Sequence, residues 1–305
     1  MSDNIRKETV QKASTKSRSQ MQGWLLVLPT VILLVVLIAY PIGFAFYLSM
    51  QDLYLLRGFD TSKFVGLKNF IDFLSNPDTP RYFLNTFMWV AGTVLGELTI
   101  ALGVALLLNR SFRGRGLIRG LILVPWVLSP VVAGVIWRWI LDGQWGVLNH
   151  ILMKVGLIAK PLQWLSDPNL VWISLIGVTI WKAFPFACVN ILAALQVIPP
   201  ELYEAAAIDG SNSWQAFKEV TFPLIKPVLT TVGLLLTIWR TNEFNMIWVM
   251  TQGGPGITTT TLSVHTYLQS FRYYRVSMGA SIGVLLMIFL FFLTTIYVKR
   301  TQMEW

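Results

Sequence analysis

Glu97, Lys182, Arg240 and Glu243 each stand near the middle of a long apolar run, where a charge is out of place. A charged side chain at the centre of a bilayer costs about 2.5–3.5 kcal/mol on insertion scales, so such residues face protein or a watery cavity and are candidates for function. Helical spacing groups them with neighbours. Thr179, Lys182, Ala183 and Phe186 recur at i, i+3, i+4 and i+7 on one helix face, and Leu236, Trp239, Arg240 and Glu243 repeat the pattern on another. If the faces meet, they enclose a pocket with aromatic walls at Phe186 and Trp239 and charged hydrogen-bonding groups between them. That is the chemistry of holding a sugar, whose C–H faces stack on rings while its hydroxyls need donors and acceptors. Two other uses of the same charges are open. Glu97 and Glu243 would neutralise Lys182 and Arg240 as a buried structural network, which is compatible with a pocket. In an ion-coupled secondary transporter, Glu97, Glu243 and Lys182 would instead relay protons or ions.

These charges need apolar helices to carry them, and the composition supplies such helices. Of 305 residues 54% are hydrophobic and 13% charged, with 13 tryptophans, far too apolar for a soluble chain of this length. The chain reads as an all-α integral membrane protein. Six runs reach the ~20 residues needed to cross a bilayer, at 24–50, 83–108, 117–141, 170–195, 227–251 and 276–298. Pro125 and Pro130 fall inside the third, where a kink is tolerated when neighbours satisfy the freed backbone groups. Residues 1–23 form a basic tail, 24–298 the membrane domain, 196–226 a loop between the fourth and fifth spans, and 299–305 a short second tail.

Six spans put both termini on one side. That side carries the denser lysine and arginine, with Arg6, Lys7, Lys12, Lys16 and Arg18 in the tail and Arg110, Arg113, Arg115 and Arg119 between the second and third spans. By the positive-inside rule both termini and the 196–226 loop are cytoplasmic. Most of the net charge of +9 is thereby explained without a nucleic-acid partner. One cysteine, Cys188, and two histidines give no disulfide and no metal cluster. The sequence holds no Gly-x-x-x-x-Gly-Lys-Ser/Thr phosphate loop and no catalytic constellation, so any ATP hydrolysis belongs to a partner. Gly92 and Gly96, like Gly279 and Gly283, have the spacing that lets two membrane helices approach closely.

The 196–226 loop has a pattern of its own. Pro199 and Pro200 suit a helix start, Gly210 a helix end, and Asn212 with Gln215 a capping pair for a second helix through Trp214, Phe217 and Val220 up to Phe222-Pro223. Alanines 205 and 206 would let another protein's surface come close, with Glu204 available to an arginine of that partner.

Glu204-Ala205-Ala206, Gly210, Val220, Phe222 and Pro223 resemble the EAA loop of ABC-importer permeases, with Val220 and Phe222 as apolar departures from its Ile and Leu. The likeness extends to the six-span layout, to Val65-Gly66-Leu67-Lys68-Asn69-Phe70 and to Thr251-Gln252-Gly253-Gly254-Pro255, covering most of 24–300. The chain is thus similar to carbohydrate-importer permeases of the maltose type. The resemblance implies a type I importer permease fold in the bacterial inner membrane. It implies a second homologous permease, two ATP-binding subunits that hold ATP and magnesium, and an extracytoplasmic solute-binding protein. It assigns Glu204, Ala205, Ala206, Asp209 and Gly210 to docking on an ATPase. It also places sugar contacts on Thr179, Lys182, Ala183 and Phe186 and on Leu236, Trp239, Arg240 and Glu243. Lys182, Arg240 and Glu243 replace neutral residues of the maltose pattern. Two cations there favour a cargo with an anionic group, since an arginine fork matches oxyanions, unless Glu97 and Glu243 cancel them.

Overall fold

Within a bilayer every backbone N–H and C=O must be satisfied inside its own segment, so long uncharged runs become helices. The computed structural model describes residues 24, 26–58 and 62–302, and the basic tail expected at 1–23 and the last residues of the second tail lie outside that set. Among the described residues twelve helices follow in order, besides a 3-10 turn at Leu55–Arg57. They are α1 (Leu26–Ser49), α2 (Lys68–Leu74), α3 (Thr79–Asn109), α4 (Arg115–Val127), α5 (Pro130–Ile140) and α6 (Val147–Lys154), then α7 (Val171–Val197), α8 (Pro200–Ile208), α9 (Ser213–Thr241), α10 (Asn245–Thr251), α11 (Leu262–Tyr267) and α12 (Val276–Gln302). Among the described residues the extended pairing is confined to one isolated bridge, Gln51 with Phe64.

Five of these helices, α1, α3, α7, α9 and α12, are long and apolar enough to cross a membrane, and the pair α4–α5 makes a sixth span if counted as one. That pair is bent by 94°. The expected third span, 117–141, is therefore broken rather than kinked. Leu128 and Ser129 are extended, with ψ of 138° and 140°, because Pro130 bars its predecessor from helical geometry. Pro125 stays inside α4. The expected fifth span, 227–251, also differs. Helix α9 starts earlier, at Ser213, and ends at Thr241, and α10 resumes at Asn245. At the break the Asn242 side chain adds a bond to the Ile238 carbonyl at 2.9 Å, and Glu243 Oε1 accepts from the Met246 amide at 3.3 Å, so a side chain takes over an amide that a continuing helix would pair. The stretch 252–277, between the expected fifth and sixth spans, contains α11 and a π turn at Leu268–Arg272.

Helices α3 and α7 form the centre. A Cβ added to Gly92 would lie 2.7 Å from Ile176 Cδ1, and one added to Gly96 would overlap Ile180, so these two glycines seat the helices directly on each other. At one end of the bundle Leu108, Leu195 and Ile225 share an apolar cluster with Ala101, Cys188 and Ile191. Further along α3 and α7, Trp89, Leu175 and Val178 pack with Ala133, Met246, Ile247 and Val264. The most apolar stretch of α1 is exposed, and its C-terminal part packs against α12.

Candidate functional site

The coupling segment lies between α7 and α9. Helix α8 begins on Pro200 and closes on Gly210, whose φ of +81° is open to glycine at no steric cost. Gly210 and Ser211 amides donate back to Ala207 and Ala206 at 3.1 and 2.9 Å, a C-terminal cap that turns the chain. Asn212 and Gln215 then form a reciprocal capping box: Asn212 Oδ1 accepts from the Trp214 and Gln215 amides at 3.0 Å, and Gln215 Oε1 from the Asn212 amide at 2.8 Å. The second helix does not stop at Phe222-Pro223. A π turn over Phe217–Thr221 precedes it, and the helix runs on into the membrane. The Tyr203 and Thr221 hydroxyls, 2.9 Å apart, tie α8 to α9. Glu204, Ala205, Asp209 and Gly210 are exposed and Ala206 is half-buried, beside the exposed apolar side chains of Ile208 (86%) and Trp214 (71%).

The second group of residues lies deep in the bundle. Phe186 of α7 meets Trp239 of α9, ring centroids 4.9 Å apart, so the two expected faces do touch. Trp126 of α4 also stacks on Phe186, at 6.1 Å. Arg240 reaches from α9 to α3. Its Nε lies 2.9 Å from Glu97 Oε1, and its Nη1 donates to Glu243 Oε2 at 3.1 Å. Glu97 is wholly buried and Arg240 is 8% exposed, so this triad is closed within the chain. Lys182 is half-buried and, among the described residues, makes no salt bridge. Thr179, Ala183 and Leu236 are buried, and Thr179 Oγ1 has no hydrogen-bond partner among the described residues.

The structure thus sorts the eight pocket candidates. Lys182, Phe186, Trp239 and Glu243 retain exposed surface. Thr179, Ala183, Leu236 and Arg240 back them from inside. Three participants escaped the sequence reading. Trp126 lies on a run considered only for its length and its prolines. Trp89 Nε1 donates to the Arg240 carbonyl at 3.1 Å, and Ser263 Oγ donates to the Glu243 carbonyl at 2.8 Å. All three contacts bridge elements far apart in sequence, where periodicity carries no signal.

Comparison with known proteins gives a concordant result. Residues 97–303 match the family described as Binding-protein-dependent transport system inner membrane component. The chain is 33% identical over 291 residues to the trehalose/maltose transport system permease MalF of Thermococcus litoralis, covering 93% of this chain and 95% of that one. It is also 33% identical over 275 residues to the sulfoquinovosyl glycerol transport system permease SmoG of Agrobacterium fabrum, covering 90% and 88%. Among solved structures, a chain of a bacterial ABC transporter that imports the acidic polysaccharide alginate superposes with a TM-score of 0.81 at 20% identity, over 95% of this chain and 98% of the other.

Proposed function

Because the chain belongs to the family of binding-protein-dependent transport system inner membrane components, we propose a mechanism in which ATPase movement reaches a mid-membrane saccharide site through α8 and α9. The chain is a multi-pass, all-helical ABC-importer permease for uptake of a sugar or polysaccharide, with the type I fold, and a transport component rather than an enzyme. Its work requires ABC partners. In our reading these are a second homologous permease, two ATP-binding subunits holding ATP and magnesium, and an extracytoplasmic solute-binding protein. The exposed helix α1 is one surface for the second permease. The membrane is the bacterial inner membrane, with both termini and the coupling segment cytoplasmic.

The observation that carries the mechanism is the continuity of α9. One helix runs from the capping box at Asn212 to Arg240. Glu204, Ala205, Ala206, Asp209 and Gly210 would dock in an ATPase cleft, with Ile208 and Trp214 supplying apolar contact. Closure of the ATPases on ATP would displace this segment and, through α9, separate or close the faces at Phe186 and Trp239, exposing the site to alternate sides. Hydrolysis would reset it.

The cargo is read from the residues, since the relatives' named cargoes differ. Trp239, Phe186 and Trp126 offer ring faces, and Lys182 a cation not paired within the described chain. A saccharide with an acidic group fits both. Arg240 is already held by two carboxylates, which makes it a strut rather than the acid's partner and leaves an ion relay with both carboxylates engaged.

The test is ATPase stimulation of the assembled complex by loaded binding protein, with an acidic and a neutral saccharide. Stimulation by the acidic one, lost in Lys182→Met and uncoupled in Glu204→Arg, is the expected result. Unchanged uptake in Glu204→Arg would sink the coupling assignment. Stimulation by the neutral saccharide alone, preserved in Lys182→Met, would sink the acidic cargo.

A further inference from the structure

The end of the bundle opposite the coupling segment carries a cleft distinct from the mid-membrane site. Helix α3 runs from the α2 side to Leu108, which packs with Leu195 and Ile225 at the coupling end, so α2 and the start of α3 mark the other end. There the segment after α1, helix α2 and the turn before α12 enclose a cleft of about 930 Å³. Its volume is that of a small-molecule site. Tyr54, Tyr273 and Tyr274 line it together with Arg272, Arg275 and Asp72.

The cleft is built rather than accidental. The Leu55 amide donates to the Tyr274 carbonyl at 2.9 Å and the Leu53 amide to Ser277 Oγ at 2.9 Å, which staples the two halves together. Asn69 Nδ2 donates to the carbonyls of Ser49 and Gln51 at 2.8 and 2.7 Å and fixes α2 beneath them. Tyr274 has φ of +57°, a conformation that costs a tyrosine about 1–3 kcal/mol. Those staples hold it there, and its ring lines the cleft. Arg272, Tyr273, Tyr274 and Arg275 are all exposed, and neither arginine forms an ion pair among the described residues.

Exposed rings beside unpaired guanidinium groups bind one chemistry best. Sugar C–H faces stack on tyrosine, and a carboxylate takes two parallel bonds from an arginine fork. We propose that this cleft is a second saccharide subsite, which holds a short acidic oligosaccharide with its rings on Tyr273 and Tyr274 and its carboxylates on Arg272 and Arg275. It is separate from the mid-membrane site. Ser263 touches the Glu243 carbonyl and Arg272 lines the cleft, and at 1.5 Å per residue the helical path between them is about 14 Å. The inference rests on the reading of the cargo as an acidic saccharide.

The experiment uses the assembled transporter in lipid nanodiscs without binding protein, and titrates trigalacturonate and maltotriose by saturation-transfer NMR. Trigalacturonate should bind, and Arg272→Gln and Tyr273→Ala should each weaken it about tenfold or more while Trp239→Ala leaves a saturable component. Both cleft side chains are exposed, so neither substitution threatens the fold. Binding unchanged in both cleft variants and abolished in Trp239→Ala overturns the second site while the mid-membrane reading stands. Binding of neither saccharide to the wild type overturns both. Cleft variants that bind trigalacturonate normally but lose stimulation by loaded binding protein would make the cleft a protein-docking surface and overturn the subsite.

Discussion

Removing the Arg240 guanidinium is the most informative single perturbation. Glu97 has no exposed surface, and Arg240 Nε at 2.9 Å is its only salt-bridge partner among the described residues. Deleting one member of a buried pair leaves an uncompensated charge and costs about 3–5 kcal/mol. Glu243 is better placed to survive, because its side chain is 14% exposed and also accepts from the Met246 amide. Arg240→Leu should therefore destabilise the chain by about 3–5 kcal/mol. Replacing both partners restores an apolar, uncharged contact, so Arg240→Leu with Glu97→Leu should recover about half of that loss, a coupling on the scale of neighbouring residues, ~2 kcal/mol. The assay is a double-mutant cycle on equilibrium unfolding in mixed micelles, followed by tryptophan fluorescence. Should Arg240→Leu lie within about 1 kcal/mol of wild type while uptake collapses, the guanidinium is serving the cargo and the strut assignment is wrong.

Three further outcomes follow from other parts of the chain. Gly96→Val should cost about 1–3 kcal/mol by driving a methyl into Ile180, lowering the recovery of folded protein after heating, and Ile180→Ala should rescue part of it. Gly210→Val should weaken assembly with the ATPases by forcing a branched side chain to φ of +81°, a strain of about 1–2 kcal/mol, whereas Gly210→Asn should be nearly neutral in a pull-down of the complex. His265, buried against Tyr82 and Phe73 beside Gln269, has its pKa pushed by burial from 6.5 down to about 4, partly offset by Asp78. The neutral ring is favoured in the folded state, so its contribution is full above pH 6.5. It declines as pH falls towards 4, by at most about 3 kcal/mol, and a pH series of unfolding curves should flatten in His265→Phe.

Much of this molecule is legible from local rules. The capping box at Asn212 and Gln215, the left-handed Gly210 and the close pair Gly92 and Gly96 each follow from residue type and spacing, because each is decided within a turn or two of helix. Periodicity also placed Phe186 and Trp239 on facing surfaces. It failed where side chains overrule the run of apolar residues. Asn242 and Glu243 interrupt what hydropathy alone extends to Thr251, and Pro130 breaks what a single kink was expected to accommodate. In the opposite sense, Phe222-Pro223 looked like a stop and is not one, because the π turn ahead of it absorbs the missing proline amide. The reach of Arg240 to Glu97, across from α9 to α3, is a tertiary fact that no window of sequence contains.

The π turn at Phe217–Thr221 has one more consequence. A π turn carries one residue more than the α-helical turn it replaces, and each residue advances the helix by about 100°. The five residues there set the azimuth at which everything beyond them emerges. Leu236 faces the bundle and Arg240 points at Glu97 only because that extra residue has been wound in. The length of chain between Asn212 and Arg240 is consequently a dial with discrete clicks. One click is already held in the π turn: loss of Val220 would tighten it to α geometry and leave the guanidinium facing its carboxylates, whereas loss of a residue from the α-helical part beyond it would swing the guanidinium about a quarter-turn away.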